Sequence, residues 1–176
     1  MDARNLAELY ALPTLSWAPV AQRLDAGITQ APGTGGPNRH TCWLATIDPD
    51  GRPHVTGVGA QWHDGTWRLS TGLTTRKGRN LLRDPRCTLS VAMEELDLVV
   101  EAEASLLTDP DEIAAYAGRA ATNGWPAEPT PDGSAVTAAY SAPSAGPPPW
   151  HVFRLAVTSA MVLQTVDPGG ATRFTF

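Results

Sequence analysis

Hydrophobic and polar residues alternate through much of the middle of the chain, and this two-residue period is typical of half-buried β-strands. The alternating runs are Trp43–Ile47, Pro53–Trp62 and Trp67–Thr71. Two short segments rich in Asp, Pro and Gly separate them, at residues 48–51 and 63–66. Turns of this composition join neighbouring antiparallel strands, so we predict a three-stranded antiparallel meander.

Helical and extended patterns then follow one another. They predict a helix at 75–83, strands at 87–93 and 96–107, and a second helix from 109 to about 122. The second helix has a clear start, because Asp109 can cap it and Pro110 suits its first position. Glu112 stands where it can complete a capping box.

The last third of the chain combines an irregular segment with more strands. Residues 123–149 hold seven of the sixteen prolines, and we expect a long ordered loop or a mobile lid there. Strands are predicted at 150–157, 161–166 and 171–176. The total of about eight strands in short hairpins, with few helices, favours a mainly β fold. A small antiparallel barrel is expected, because closure removes exposed strand edges.

The N-terminal part carries a weaker pattern. Residues 5–28 look helical but irregular, since Pro13 and Pro19 interrupt them, and residues 30–39 have the composition of a loop. The length of 176 residues suits a single structural domain. We therefore divide the chain into a helical segment and loop at 1–39 and a barrel at 40–176.

Composition excludes several classes of function. The net charge of −5 offers no global basic field for nucleic acid, and no apolar run approaches the length of a membrane span. The N-terminus lacks the order of a secretory signal. Cys42 and Cys87 lie in apolar runs and are expected to be buried thiols. We expect a cytoplasmic protein that contacts neither nucleic acid nor membrane.

The segment Thr74–Lys77 carries the strongest chemical signal. Two hydroxyls stand directly before Arg76 and Lys77, at the predicted junction of a strand and a helix. Cations in a first helical turn oppose the helix dipole unless an anion is present. Hydroxyls, cations and free helix N–H groups are what a phosphate monoester needs. The segment therefore predicts a phosphate site for a nucleotide-like cofactor.

Other candidate residues leave alternatives open. Gly57 and Gly59 lie inside a predicted strand, which has two interpretations. They let a flat ligand approach the backbone closely, or they mark a bend in the barrel. Trp150 and Arg173 can pack as barrel residues or face a pocket. The four histidines lack metal-ligand spacing, and the sequence holds no nucleophile elbow or paired carboxylates, so no metal site and no catalytic residue is assigned.

The order of these elements resembles the pyridoxamine 5'-phosphate oxidase-like family of flavin-binding split β-barrels. The resemblance rests on the triplet Thr75-Arg76-Lys77, followed by Asn80-Leu81 and by Asp84-Pro85-Arg86 before the next strand. It implies a split barrel of about six to eight antiparallel strands with a few short helices. It also implies that the triplet holds the phosphate of flavin mononucleotide (FMN).

The same resemblance implies further site residues and an assembly. Ser70 and Thr71 would contact FMN, and Thr56, Val58 and Gly59 would lie near its ring. Trp150 and Arg173 complete the candidate set from the C-terminal strands. Family members are mostly homodimers with cofactor at the interface, so we expect a homodimer.

Two departures from the vitamin-specific oxidases stand out. Thr56 replaces an arginine on the second strand, and Arg173-Phe174-Thr175 lacks the histidine of an Arg-x-His pair. True pyridoxamine-phosphate oxidation is therefore not expected. The sequence instead favours a broader flavin or deazaflavin oxidoreductase acting on a small organic substrate, with FMN or coenzyme F-420 as cofactor. A flavin- or haem-binding carrier or sensor without turnover is the alternative.

Overall fold

The computed structural model describes residues 1–28 and 41–176, so the predicted loop at 30–39 lies outside the described residues. The helices are α1 (Trp17–Asp25), α2 (Arg76–Arg83) and α3 (Pro110–Thr122), with single 3-10 turns at Glu8–Tyr10 and Pro143–Ala145. The strands are β1 (Asp2–Asn5), β2 (Thr41–Ile47), β3 (Pro53–His63), β4 (Thr66–Thr71), β5 (Arg86–Ala92), β6 (Leu96–Leu106), β7 (Glu128–Pro129), β8 (Val136–Thr137), β9 (His151–Gln164) and β10 (Gly170–Thr175).

Six antiparallel strands close into a barrel in the order β9-β4-β3-β2-β5-β6, and β6 pairs back to β9. Strand β9 is long enough to serve two neighbours on one edge. Its first half pairs with β4 and its second half with β10, which in turn pairs with β1. The predicted mainly β split barrel is confirmed.

The meander of β2, β3 and β4 is confirmed by its pairing, in which Trp43 opposes Gly57 and Trp62 opposes Trp67. The prediction of separate strands at 150–157 and 161–166 was wrong, because β9 runs unbroken across both. The pairing of β6 with β9 shifts register between Glu101 and Ala102, which oppose Ser159 and Val157. The strand therefore continues through the residues that break the hydrophobic alternation of β9. This long-range pairing leaves no mark on the local sequence.

The N-terminal segment contains a strand that the sequence did not predict. Residues 2–5 form a strand, with Ala3 opposite Phe174, and the only α-helix within residues 1–28 is α1. This strand depends on an edge pairing with β10, which local periodicity cannot show.

The cap of α3 differs from the predicted capping box. Asp109 accepts a hydrogen bond from the backbone N–H of Asp111, as expected of a cap. Glu112 instead contacts the guanidinium of Arg154 on β9. A full guanidinium charge across the helix–barrel contact attracts the carboxylate more strongly than a backbone N–H does.

Two apolar cores lie on the two sides of the barrel wall. The inner core fills the barrel around fully buried residues such as Trp67, Leu69 and Leu155. The second core lies outside the wall, beneath α3 and the segment 123–149, and contains Ile113 and Trp150. The segment predicted as a loop or lid is thus anchored, and within it β7 pairs with β8.

No helix in the described part of the chain is long and apolar enough to cross a membrane.

Candidate functional site

A cleft of about 690 Å³ lies on the outer side of the barrel. Its walls come from β3, from α3, from the start of α2, from residues 140–145 and from the end of α1. Residues alternate across β3, so Val58 and Ala60 belong to the inner core while Gly57, Gly59 and Gln61 lie on the cleft side. The strand thereby presents mostly backbone to the cleft.

The two strand glycines differ in what surrounds them. A Cβ atom at Gly59 would meet no other atom of the described residues within 4 Å, whereas one at Gly57 would lie 3.1 Å from Cγ2 of Thr41. Gly59 therefore leaves its backbone uncovered by described side chains on the cleft side. Val58 also lines the cleft, although its side chain is buried in the barrel.

Hydroxyl groups shape the junction of β4 and α2. The Thr75 hydroxyl donates to the carbonyl of Gly72 at 2.8 Å and accepts from the backbone N–H of Gly78 at 3.1 Å, which makes Thr75 the N-cap of α2. The Thr71 hydroxyl lies 3.0 Å from it. These hydroxyls hold the helix start in place, and neither lines the cleft.

Lys77 is a cation buried in the wall of the cleft. Only 3% of its surface is exposed, and its Nζ donates to the carbonyl of Ser144. Within residues 1–28 and 41–176 no carboxylate pairs with it, and burial lowers the pKa of its ammonium. A buried ammonium that has only a neutral partner gains most from an anion. Lys77 therefore fits a phosphate at the start of α2.

Arg76 is held differently. Its guanidinium forms a two-point ion pair with Asp48, at the end of β2, and Asn80 donates to the same carboxylate at 2.9 Å. Asn80 also donates to the Thr46 hydroxyl at 3.1 Å. These contacts tie α2 to β2, and the bond from Arg76 holds the pKa of Asp48 well below its usual range.

This network makes a prediction about acid stability. A carboxyl group whose pKa is lower in the folded than in the unfolded protein stabilises the fold at any pH above its pKa in the unfolded state. That stabilisation is lost as the pH falls to its pKa in the folded state. Asp48→Asn should therefore lower the urea concentration at the midpoint of unfolding at pH 7. As the pH is lowered, the midpoints of the variant and the wild type should converge, because Asp48 of the wild type becomes protonated. Urea unfolding followed by circular dichroism from pH 7 downwards measures this. Asp50→Asn, at an exposed turn position, is the control, and parallel pH curves for wild type and Asp48→Asn would contradict the assignment.

Ser70 faces the cleft and anchors α3. Its hydroxyl accepts a hydrogen bond from the Tyr116 hydroxyl at 3.1 Å. Both residues line the cleft, and burial raises the pKa of Tyr116 to about 12. Tyr116 therefore stays protonated at neutral pH and fixes the distance between β4 and α3.

The structure brings four of the sequence-predicted site residues into the wall of the cleft: Val58, Gly59, Ser70 and Lys77. Another four do not line the cleft but lie at the start of α2 or in the contacts between α2 and β2: Thr71, Thr75, Arg76 and Asn80. Thr56 lies on β3 opposite Leu44, on the same side of the strand as Val58.

The two C-terminal candidates lie elsewhere. Trp150 is buried in the second core, donates to the carbonyl of Gly146 at 2.8 Å and packs against Trp125 at 5.7 Å between ring centres. Arg173 is on β10, 3.5 Å from Glu101 of β6, outside the cleft. Trp150 therefore does not line the cleft itself but packs against Trp125, which does.

Several cleft residues were not among those predicted, including Gln61, Trp62, Tyr116 and Arg119. The period of β3 could have identified Gln61, since it continues the side of Gly57 and Gly59. Tyr116 and Arg119 are three residues apart on one helix and so share a face. Nothing in the sequence says that this face covers β3 and β4.

The sequence model of the family described as pyridoxamine 5'-phosphate oxidase matches residues 36–160, well over half of the chain. The chain belongs to this pyridoxamine 5'-phosphate oxidase family. The match spans the barrel from β2 into β9 and includes the whole start of α2. The search of curated proteins found no match.

Solved structures share the fold of this family member at low identity. An FMN-binding, pyridoxamine 5'-phosphate oxidase-related protein from Nostoc punctiforme is 14% identical, with 92% of this chain and 91% of that one covered and a TM-score of 0.59. A haem-binding protein from Mycobacterium smegmatis is 17% identical, with 93% and 60% covered and a TM-score of 0.59. A conserved hypothetical protein from Mycobacterium tuberculosis is 20% identical, with 83% and 82% covered and a TM-score of 0.57. At these identities the likeness establishes the fold alone.

Proposed function

We propose that this protein binds a phosphate-bearing flavin or deazaflavin, FMN or coenzyme F-420, in the cleft and uses it as an oxidoreductase on a small organic substrate. The observation that carries the proposal is Lys77, a buried ammonium at the start of α2 that has no carboxylate partner among the described residues. Membership of the family supports the same cofactor class. When bound, such a cofactor supplies the hydride chemistry, and the chain supplies binding, orientation and exclusion of water.

Each part of the cleft has a role in this proposal. Lys77 and the N–H groups of the first turn of α2 hold the phosphate. The backbone at Gly59 lies under the flat ring, since no side chain of residues 1–28 or 41–176 covers it. Trp125 and Tyr140 lie on the wall built by residues 123–149 and shield the ring from water. Tyr140 is tied to Gly124 by a hydrogen bond of 3.1 Å, which keeps this wall together.

Binding titrations test the proposal directly. The purified protein is titrated with FMN, with riboflavin, with F-420 and with haemin, and absorption and flavin fluorescence are followed. A phosphate site predicts that FMN binds about tenfold or more tightly than riboflavin, which lacks the phosphate. Equal affinity for FMN and riboflavin would refute the phosphate site.

Haem carriage without turnover is the second function that the cleft admits. His63 lines the cleft and supplies an imidazole, one of the side chains that hold haem iron in proteins. A Soret band that shifts on mixing with haemin, and that His63→Ala abolishes, would favour the carrier. Oxidation of a reduced flavin or deazaflavin by added acceptors would favour the oxidoreductase.

We also propose a homodimer whose interface adjoins the cleft. Trp43 and Val55 lie on the outer face of β2 and β3, where 49% and 57% of their surfaces are exposed. Gly57 joins this face to the cleft, because it opposes Trp43 in the sheet and also lines the cleft. A contiguous apolar patch on a sheet beside a binding site is typical of an interface.

The dimer has its own prediction. Trp43→Glu places a charge in the proposed interface and should convert the dimer to a monomer, as measured by light scattering after gel filtration. Leu9→Glu is the control, since Leu9 is 88% exposed and lies on the N-terminal 3-10 turn, outside β2 and β3. A wild-type protein that elutes as a monomer, or a Trp43→Glu variant that stays dimeric, would refute the interface.

The free thiols support a cytoplasmic location in this proposal. Cys42 and Cys87 are both buried and unpaired, which suits a reducing compartment.

A further inference from the structure

Residues 141–147 form a strap across the junction of β4 and α2, beside the proposed phosphate site. The Ala145 carbonyl accepts a hydrogen bond from the backbone N–H of Gly72, in the turn before α2, at 2.9 Å. The Ser144 carbonyl accepts from Nζ of Lys77, in the first turn of α2. The strap is thus tied both to the turn and to the cation proposed to bind the phosphate.

Two glycines allow the strap to lie this close to the turn. A Cβ atom at Gly72 would lie 3.0 Å from the carbonyl oxygen of Ala145. A Cβ atom at Gly146 would lie 2.9 Å from Cγ2 of Thr75, and the φ of Gly146 is +73°, a conformation that other residues rarely adopt. The contact between strap and turn therefore depends on a glycine on each side.

Lys77 is buried where it contacts the strap. Only 3% of its surface is exposed, although it belongs to the cleft wall, and the acceptor that the described residues supply to its ammonium is the Ser144 carbonyl. A phosphate oxygen that binds Nζ must therefore come close to this carbonyl oxygen or take its place. Two oxygens that both carry negative charge repel each other. A phosphate also attracts an ammonium more strongly than a neutral carbonyl does, so exchange of the partner is favoured.

The other contacts of the strap are weaker. Residues 142–144 are exposed, whereas Ala145 is buried. The Ser144 hydroxyl donates to the carbonyl of Gly57 on β3 over a long 3.3 Å. Segments with few buried apolar contacts open locally at a low cost in free energy. The Lys77 contact carries a full charge, so its loss should affect the strap more than the loss of a neutral hydrogen bond.

We propose that Lys77 holds the strap against α2 and releases it when its ammonium binds the phosphate of the cofactor. This inference rests on the proposed function, in which Lys77 binds the phosphate of FMN or F-420. Lys77 then has two alternative partners, the Ser144 carbonyl and the phosphate. Because Ser144 and Ala145 also line the cleft, this part of the wall opens for a cofactor that carries a phosphate and stays closed for riboflavin.

Hydrogen exchange of single amides, followed by NMR, measures the opening of the strap. One reporter is the amide of Gly72, whose acceptor is in the strap, and another is that of Ala145, which donates to the Ala142 carbonyl at 2.8 Å. FMN should speed exchange at both amides by about tenfold or more, and riboflavin by less than about twofold. The amide of Val136, which donates to the Trp150 carbonyl at 2.9 Å outside the strap, is the internal control.

Lys77→Met tests the contact with the strap in the absence of any cofactor. The variant should exchange the amides of Gly72 and Ala145 about tenfold or more faster than the wild type, and added FMN should cause no further change. Arg79→Met is the matched control, because Arg79 lies on the exposed side of the same helix. It should leave both exchange rates within about twofold of the wild-type values.

Gly146→Ala tests the competition between strap and phosphate. The added Cβ would press on Thr75, whose hydroxyl is held by two hydrogen bonds, so the exposed strap should move instead. Since a larger fraction of this variant is already open, FMN should bind about threefold or more tightly than to the wild type, with riboflavin unchanged. Gly65→Ala is the matched control and should leave FMN affinity within about twofold, since the φ of Gly65 is +70° but an added Cβ would meet no described atom within 4 Å. Ser144→Ala removes the hydroxyl bond to β3 and should act in the same direction, more weakly.

Several outcomes would overturn the inference. Unchanged or slower exchange at Gly72 and Ala145 when FMN binds the wild type would do so, and so would wild-type exchange rates in Lys77→Met. FMN affinities in both Gly146→Ala and Ser144→Ala that equal or fall below the wild-type value, in variants that circular dichroism shows to be folded, would also contradict it. If FMN fails to bind the wild type but inorganic phosphate still speeds exchange at Gly72, the proposed function is refuted and release of the strap by phosphate stands. No effect of either compound would overturn both.

Discussion

Replacing Lys77 by methionine should weaken FMN binding by about 1.5–3 kcal/mol, the range for a lost charged hydrogen bond, and leave riboflavin binding unchanged. The reason is that the Lys77 ammonium has no carboxylate partner in the described chain and lies in the cleft wall beside the first turn of α2. Methionine keeps the length and most of the apolar contacts of the side chain. Fluorescence titration with the two flavins measures the difference.

The same substitution should not destabilise the fold. A buried ammonium with only a carbonyl as its partner in the described chain costs free energy, so Lys77→Met should leave the free energy of unfolding unchanged or raise it. The Ser144 carbonyl that loses its donor belongs to an exposed residue and can turn to water. Arg79→Met is the control, because it removes a cation from the exposed side of the same helix and should leave FMN affinity within about twofold. Equal loss of FMN and riboflavin affinity in Lys77→Met would show that Lys77 does not contact the phosphate.

The pH dependence gives an independent readout of the same contact. Burial lowers the pKa of Lys77 below its ordinary value of 10.5. FMN affinity should therefore fall as pH rises through this lowered pKa, because the ammonium loses its proton while the phosphate stays charged. Riboflavin affinity should stay level over the same range, and so should FMN affinity in Lys77→Met.

Gly78→Ala should lower the free energy of unfolding by about 1–3 kcal/mol, as expected of an overpacked position. A Cβ atom there would overlap the carbonyl oxygen of Gly72 and lie 3.1 Å from the Cα of Leu73. Both neighbours are backbone, so no rotamer change relieves the contact, and α2 must move away from the turn that precedes it. FMN affinity should fall too, because that movement displaces Lys77.

Gly118→Ala is the matched control for this substitution. Gly118 lies inside α3, and an added Cβ would meet no atom of the described chain within 4 Å. Alanine there should stabilise the protein by about 0.5–1 kcal/mol, since glycine is the weaker helix former. Urea unfolding followed by circular dichroism compares the two variants. A Gly78→Ala protein as stable as wild type would show that the helix start tolerates displacement.

Residues close together in sequence could be placed correctly from the sequence. The meander of β2, β3 and β4 follows from alternation and from two turn segments, and α2 follows from the Thr75 cap and the Asp84-Pro85 end. The start of α3 was also correct, because Asp109 and Pro110 act locally. Each of these features depends on residues within a few positions of one another.

Features that depend on distant residues were missed or misjudged. The pairing of β1 with β10 and the continuity of β9 rest on partners far along the chain. The sequence predicts Arg76, in the first turn of α2, as a phosphate ligand but does not show that Asp48 of the preceding hairpin pairs with its guanidinium. Glu112 looked like a helix cap, yet Arg154 attracts it across the helix–barrel contact.

The sequence by itself determined the strand order of the central hairpins, the start of α2 with its hydroxyls and cations, and the membership of the family, because local periodicity and short motifs encode them. Only the tertiary structure decided which cations remain free for a ligand. Arg76 is neutralised by a carboxylate 28 positions away, while Lys77 faces a carbonyl and Arg119 has no partner in the described chain. Charge is compensated through space, so the sequence places the cations but not their counter-ions.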